Sequence, residues 1–88
     1  MRLLEFYGKE CPHCNRMHPL VEQLEKETGV TVEKFETWHD LQNEEMRRKY
    51  DEGDECGGVP YFVNEATGVK ICGAVSYDEL KLWAQDKS

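Results

Sequence analysis

The chain has too little uninterrupted apolar sequence for a membrane-spanning helix, which needs about 20 consecutive apolar residues; its apolar runs break after a few. It also lacks a basic surplus. Eleven Lys and Arg face 18 Asp and Glu, a formal charge of −7, and the densest basic run, Arg47-Arg48-Lys49, is set among acids. Such a surface repels a phosphate backbone, so neither nucleic acid nor membrane is an expected partner. No linker, internal repeat or low-complexity tract divides the 88 residues. A chain of this size has room for one compact core, so a single domain over residues 1–88 and a monomer are expected. Met1-Arg2-Leu3-Leu4-Glu5 reaches an acid early, without the apolar segment of about 7 to 15 residues that marks a secretory signal. A cytoplasmic location is therefore expected.

Cysteine is sparse but informatively placed. Cys11 and Cys14 form one Cys-x-x-Cys, and Cys56 and Cys72 stand apart. A zinc ribbon wants two such pairs, and a small secreted disulfide scaffold wants cysteine at higher density, so both start behind. No metal is assigned.

Arg2 to Tyr7 is short, apolar and aromatic, as in a strand buried on both faces, and Gly8-Lys9-Glu10 breaks it. Met17, Leu20, Val21 and Leu24 then recur at helical spacing, which predicts a helix from Pro12 to Thr28 capped by Gly29, with Pro19 kinking it. Val30 to Glu36 reads as a strand closing a βαβ unit, parallel to the first. Asp40 caps a second helix to Tyr50 whose apolar stripe is sparse: Leu41, Met46, Tyr50. Asp51 to Gly58 is a loop, Pro60 to Asn64 and Val69 to Cys72 are short strands, and Ser76 with Glu79 opens a last helix carrying Leu80, Trp83 and Ala84. The order is βαβαββα, an α/β protein. Trp38 and Trp83 are expected in the core, and the acids from Glu44 to Glu55 on a solvated face.

A Cys-x-x-Cys between a strand and a helix has a physical reason to react. At the helix start, unpaired N–H groups and the positive end of the dipole favour a thiolate on Cys11, the nucleophile. Cys14, one turn on, lies within disulfide reach and is shielded by the helix, which makes it the resolving thiol. Pro12 stiffens the turn. His13 is expected to donate to the Cys11 sulfur, or pair with it as imidazolium, and so to raise the reduction potential. A surface role is expected for His18 and His39. Glu5 is a carboxylate inside an apolar strand, costly unless it has a task; burial beneath the helix start would raise its pKa and let it exchange a proton with Cys14. Gly58-Val59-Pro60 suits a cis peptide bond before Pro60. Cys56 reads as an accessory thiol, a partner of Cys72 or a plain loop cysteine, and Cys72 as a small buried apolar residue.

With these motifs in place the chain resembles the thioredoxin-like superfamily over essentially its full length. Leu4-Glu5-Phe6 with Cys11-Pro12-His13-Cys14 resembles the strand and active site of the DsbA-type oxidases. Gly58-Val59-Pro60 resembles their cis-proline loop, and Pro19 the kinking proline of the thioredoxin active-site helix. The resemblance implies a minimal thioredoxin-like fold, a mixed four-stranded sheet with flanking helices. It implies a protein thiol–disulfide oxidoreductase that needs no cofactor beyond its Cys11–Cys14 disulfide, with Glu5 as buried acid and the Val59 backbone pairing with the substrate like an added strand. Protein disulfides are the implied substrates, recharged by an upstream reductase or by glutathione. The chain departs from the DsbA type in having no room for a helical insertion, and from typical thioredoxins in placing Glu10, not tryptophan, before Cys11. In size it resembles a glutaredoxin, and Gly73-Ala74 with Asp78-Glu79 loosely resembles that family's glutathione contacts. Two other classes compete: a metal or Fe–S binding or delivery module using Cys11, Cys14 and Cys56 or His13, for which the proline and the helix behind the thiols disfavour a closed tetrahedral site and leave open a cluster bridging two chains, and a redox-inert interaction domain, which the intact cysteine pair disfavours.

Overall fold

The computed structural model describes residues 2–85. The elements follow as β1 (Leu3–Tyr7), α1 (Pro12–Thr28), β2 (Val32–Glu36), α2 (Leu41–Tyr50), β3 (Tyr61–Asn64), β4 (Lys70–Cys72) and α3 (Tyr77–Ala84), with a 3-10 turn at Glu52–Asp54. The strands form one mixed sheet in the order β2-β1-β3-β4. β1 runs parallel to β2 and antiparallel to β3, and β3 runs antiparallel to β4. This is an α/β arrangement with a mixed four-stranded sheet and three helices. α1 occupies the span its periodicity predicts, and Gly29 closes it at φ 75°, a left-handed position that suits glycine, its N–H reaching Glu25 O. β3 begins one residue later than expected, after Pro60, which has no N–H to give the ladder.

Alternation along the strands sorts the apolar side chains to two faces. Leu3, Val32 and Phe62 pack under Met17, Val21 and Leu24 of α1 and Leu80 and Trp83 of α3. Leu4, Phe6, Tyr61 and Val63 pack on the other face with Phe35 and with Met46 and Tyr50 of α2. α3 has only 8 residues, too few to persist alone. Burying Leu80 and Trp83, at about 1.5–3 kcal/mol for a side chain of this kind, is what holds it. Ser76 caps its start by accepting the Glu79 N–H, and the Asn64 amide donates to Trp83 O at 2.8 Å to anchor its end.

Four expectations are corrected. Leu41 is 81% exposed, and α2 docks instead through Met46, Tyr50 and the buried Arg47. The stretch from Glu44 to Glu55 is therefore not simply a solvated face: Arg47 pairs with Glu44 and Asp51 at 2.9 Å, and Asp51 is itself buried. Spacing alone could not show this, because a helix of low apolar content can bury a charge if partners one turn away on both sides satisfy it. Trp38 is 54% exposed rather than in the core, unlike Trp83. Cys72 is not a buried apolar residue. It is exposed, and it is bonded to Cys56 with Cα atoms 5.5 Å apart, so Cys56 is no free accessory thiol in this structure. Among the described residues, no helix is long and apolar enough to cross a membrane.

Candidate active site

β1 lies inside the sheet, between β2 and β3, and its C-terminal end delivers the chain through Gly8-Lys9-Glu10 to the start of α1. The turn closes when the Cys11 N–H donates to Gly8 O at 3.0 Å. Cys11 takes the cap position with extended backbone (φ −76°, ψ 116°), and Pro12 enters the first turn, where no amide hydrogen is required. The Cys11 Sγ accepts the Cys14 backbone N–H at 3.2 Å. A sulfur thus occupies the place where a serine or aspartate oxygen would normally cap a helix. Both cysteines are free thiols. Cys11 is 3% exposed and Cys14 not at all, so a narrow opening at Cys11 is the approach to the pair. His13 projects outward, and among the described residues its ring makes no hydrogen bond to Cys11; the sulfur's donor is the backbone.

Glu5 sits beneath this pair, fully buried, and neither carboxylate oxygen has a hydrogen-bond partner among the described residues. Burial pushes its pKa from the usual 4.5 up to about 7, opposed by the positive charge of Lys34 and reinforced by the negative charge of Glu25. Lys34 faces Glu5 directly across the β1–β2 pairing. Burial, the Cys11 contact and the negative charges of Cys11 and Glu5 hold the Cys14 thiol well above the ordinary thiol range, against a Gly8 backbone hydrogen bond that lowers it. A neutral Cys14 that must ionise thus lies within the field of a carboxyl that gains and loses its proton near neutrality.

Three residues that the motifs along the chain do not mark also stand here. His18, one turn beyond Cys14 on α1, brings Nδ1 to 3.7 Å from Glu5 Oε2 while remaining partly exposed, and its ring meets Tyr7 edge-on at 5.3 Å. The i,i+4 spacing from Cys14 was the available signal. Trp38 lies flat against Gly8, close enough that a Cβ there would overlap the indole. The parallel pairing expected of β1 and β2 was the clue, since it sets the residues after Glu36 beside those after Tyr7. Glu36 organises the junction: its carboxylate accepts the N–H groups of Lys9, Trp38 and His39 at 2.7–3.2 Å. Burial pushes its carboxyl upward, and these three donors together outweigh that and hold it below the usual range. His39 also meets the Glu10 carboxylate at 2.8 Å.

β3 runs antiparallel to β1 with Phe6 opposite Tyr61, which places the loop before Tyr61 at the same end of the sheet as Cys11. The Val59-Pro60 peptide is cis. Pro60 O accepts the Gly73 N–H at 2.8 Å, while the N–H and C=O of Val59 take no partner among the described residues. Gly73 is therefore already engaged with Pro60, and Asp78 and Glu79 lie in the first turn of α3. Among the described residues, no three of His, Cys, Asp and Glu converge as a metal site requires, and Cys56 is committed to Cys72. In comparisons with known proteins, no family model and no curated sequence matches the chain. The chemistry of the site has to be read from its own geometry.

Proposed function

We propose that the chain is a thiol–disulfide oxidoreductase of thioredoxin-like type acting on protein disulfides through Cys11 and Cys14. The observation that carries this reading is the stack of two free thiols at a helix start over a buried carboxyl without hydrogen-bond partners. Leaving a carboxyl buried and unsatisfied costs several kcal/mol of folding stability, a cost that a purely structural site would avoid by carrying leucine at position 5. The parallel βαβ unit followed by an antiparallel pair fits the thioredoxin-like topology expected from the sequence.

In the reductive direction, the Cys11 thiolate attacks one sulfur of a substrate disulfide. The substrate S–S bond breaks, one substrate thiolate leaves, and a Cys11–substrate mixed disulfide forms. Cys14 then passes its proton to the Glu5 carboxylate and attacks Cys11 Sγ. The mixed disulfide breaks, the second substrate thiolate leaves, and Cys11–Cys14 is the product disulfide. Two electrons have moved to the substrate, and the reverse sequence oxidises a dithiol. The unpaired Val59 backbone supports docking of an extended substrate segment, and Trp38 offers the apolar surface that Glu10 does not. An upstream reductase or glutathione returns the electrons.

Assayed on a test protein disulfide, Cys11→Ser is expected to abolish turnover, and Cys14→Ser to accumulate mixed disulfides resolvable by mass. Full activity in Cys11→Ser overturns the proposal.

A further inference from the structure

The second cysteine pair has no part in that chemistry, yet it stands at the same end of the sheet. Cys72 ends β4 opposite Tyr61, and Tyr61 is opposite Phe6 near the end of β1. The Cys56–Cys72 bond thus brackets the Val59-Pro60 peptide, with Cys56 before it and Cys72 next to the Gly73 that binds Pro60 O. The two halves of the bond differ in access: Cys72 is exposed, and Cys56 is half-buried against the Phe6 and Tyr61 cluster.

The loop that carries Cys56 is held by contacts besides the bond. Asp51 Oδ1 accepts the Cys56 N–H at 2.9 Å, and Oδ2 accepts the Gly57 N–H at 2.8 Å and the Arg47 guanidinium at 2.9 Å. On the other side, β3–β4 pairing and the Gly73 to Pro60 bond fix Cys72. The backbone on both sides is therefore held by contacts other than the bond itself, which is what a reversible couple needs. A bond with one half on a solvent-exposed residue is also the kind that exchanges rather than endures.

We propose that Cys56–Cys72 is a second redox-active disulfide, and that it accepts two electrons from the Cys11/Cys14 dithiol of another copy of this chain. Exchange within one chain is disfavoured because β3 separates β1 from β4. Cys11 opens α1, which packs on one face of the sheet, whereas Cys56 packs on the face that carries α2. The Cys11 thiolate of one copy attacks Cys72 Sγ of the other, the Cys56–Cys72 bond breaks, and Cys56 leaves as a thiolate and takes a proton from solvent. Cys14 then attacks Cys11 Sγ, its proton passing to Glu5, and Cys72 leaves as a thiolate that solvent protonates. The donor ends with a Cys11–Cys14 disulfide and the acceptor with two thiols. This inference rests on the reactivity proposed above for Cys11 and Cys14.

The test uses two complementary full-length variants, mixed without oxygen or added reductant. The donor carries Cys56→Ser and Cys72→Ser and is reduced at Cys11 and Cys14; the acceptor carries Cys11→Ser and Cys14→Ser with Cys56–Cys72 intact. After acid quench and thiol alkylation, intact mass is expected to show the acceptor gaining two labels for each two the donor loses. The transfer is expected to run about tenfold or more faster than reduction by dithiothreitol at equal concentration. A donor with Cys14→Ser is expected to be trapped on Cys72. Circular dichroism checks the folding of each variant, and a Cys56→Ala/Cys72→Val donor replaces the serine version if that one unfolds. A donor that reduces a test protein disulfide but leaves the acceptor bond intact, or reduces it no faster than dithiothreitol, overturns the inference and leaves the proposed function standing. A donor that reduces neither overturns both.

Discussion

Arg47 and Glu5 are both buried charged residues, on elements packed against each other through one sheet, and the protein treats them in opposite ways. Arg47 is enclosed by α2 and the following loop with every direction answered: Glu44 accepts from its Nε and Nη2, and Asp51 from its Nη1, all at 2.9 Å. The Glu44 hydrogen bond, opposed by burial and joined by the Asp51 contact, keeps it charged. Glu5 lies in β1 beneath α1 with neither oxygen bonded. A satisfied buried charge fixes the geometry of a loop, whereas an unsatisfied one has a proton within reach of neutral pH.

The largest way to break the contrast is Arg47→Met. It strands Asp51 in the interior and frees the loop that Asp51 ties through Cys56 and Gly57. The expected loss is about 3 kcal/mol of unfolding free energy in urea at pH 7; a variant within experimental error of the parent would show that the pairing is cosmetic.

Glu5→Gln should act in the opposite sense. Because the folded carboxyl titrates near 7 and the unfolded one near 4.5, the folded state holds the extra proton between those values. Stability contributed by that proton is fully present below about pH 4.5 and is lost as pH rises toward and through 7. Glutamine cannot ionise, so the variant is expected to gain up to about 3 kcal/mol over the parent at pH 8 and nothing at pH 4, measured by denaturant titration at both. Second-step turnover, the attack of Cys14, should slow in the same variant, and its pH profile should lose the inflection near 7. The groups facing Glu5 are Lys34 on β2 and Cys14, His18 and Glu25 on α1; persistence of the inflection in Glu5→Gln would show that it does not belong to Glu5.

The smallest effect belongs to Lys34→Met. Removing the cation leaves Glu25 without its 3.3 Å partner and takes away the charge that restrains Glu5. Both changes push the Glu5 pKa further up, by a small amount because the groups are partly exposed. Carboxyl-labelled NMR titration measures it, and a downward shift would show that Lys34 does not restrain Glu5.

Much of this contrast was half-written in the sequence. A carboxylate in an apolar strand six positions before Cys11 announced itself, because β1 is short and its other residues are apolar or aromatic. Arg47 did not, because an acid-rich helix with few apolar residues looks the same whether its arginine faces water or the interior. Trp38 misled for the reverse reason: tryptophan usually belongs inside, and only the β2–β1 pairing and the missing Cβ of Gly8 give it a flat seat beside the active-site loop. His13, between the cysteines, looked like the tuner of Cys11. The helix geometry gives the sulfur a backbone N–H instead and brings His18, a turn farther on, toward the carboxyl.

By itself, the sequence determined what local chemistry can determine: where helices begin and end, through Pro12, Gly29, Asp40 and Ser76, and that two thiols stand at a helix start after an apolar strand. Those are properties of neighbours in the chain, set by backbone dihedrals and capping hydrogen bonds. The tertiary structure alone decided which distant groups share a dielectric and which share a bond. It left Glu5 unanswered, answered Arg47, and joined Cys56 to Cys72, 16 positions away. Burial and apposition across a sheet depend on how whole elements pack, and spacing along one chain carries no record of that.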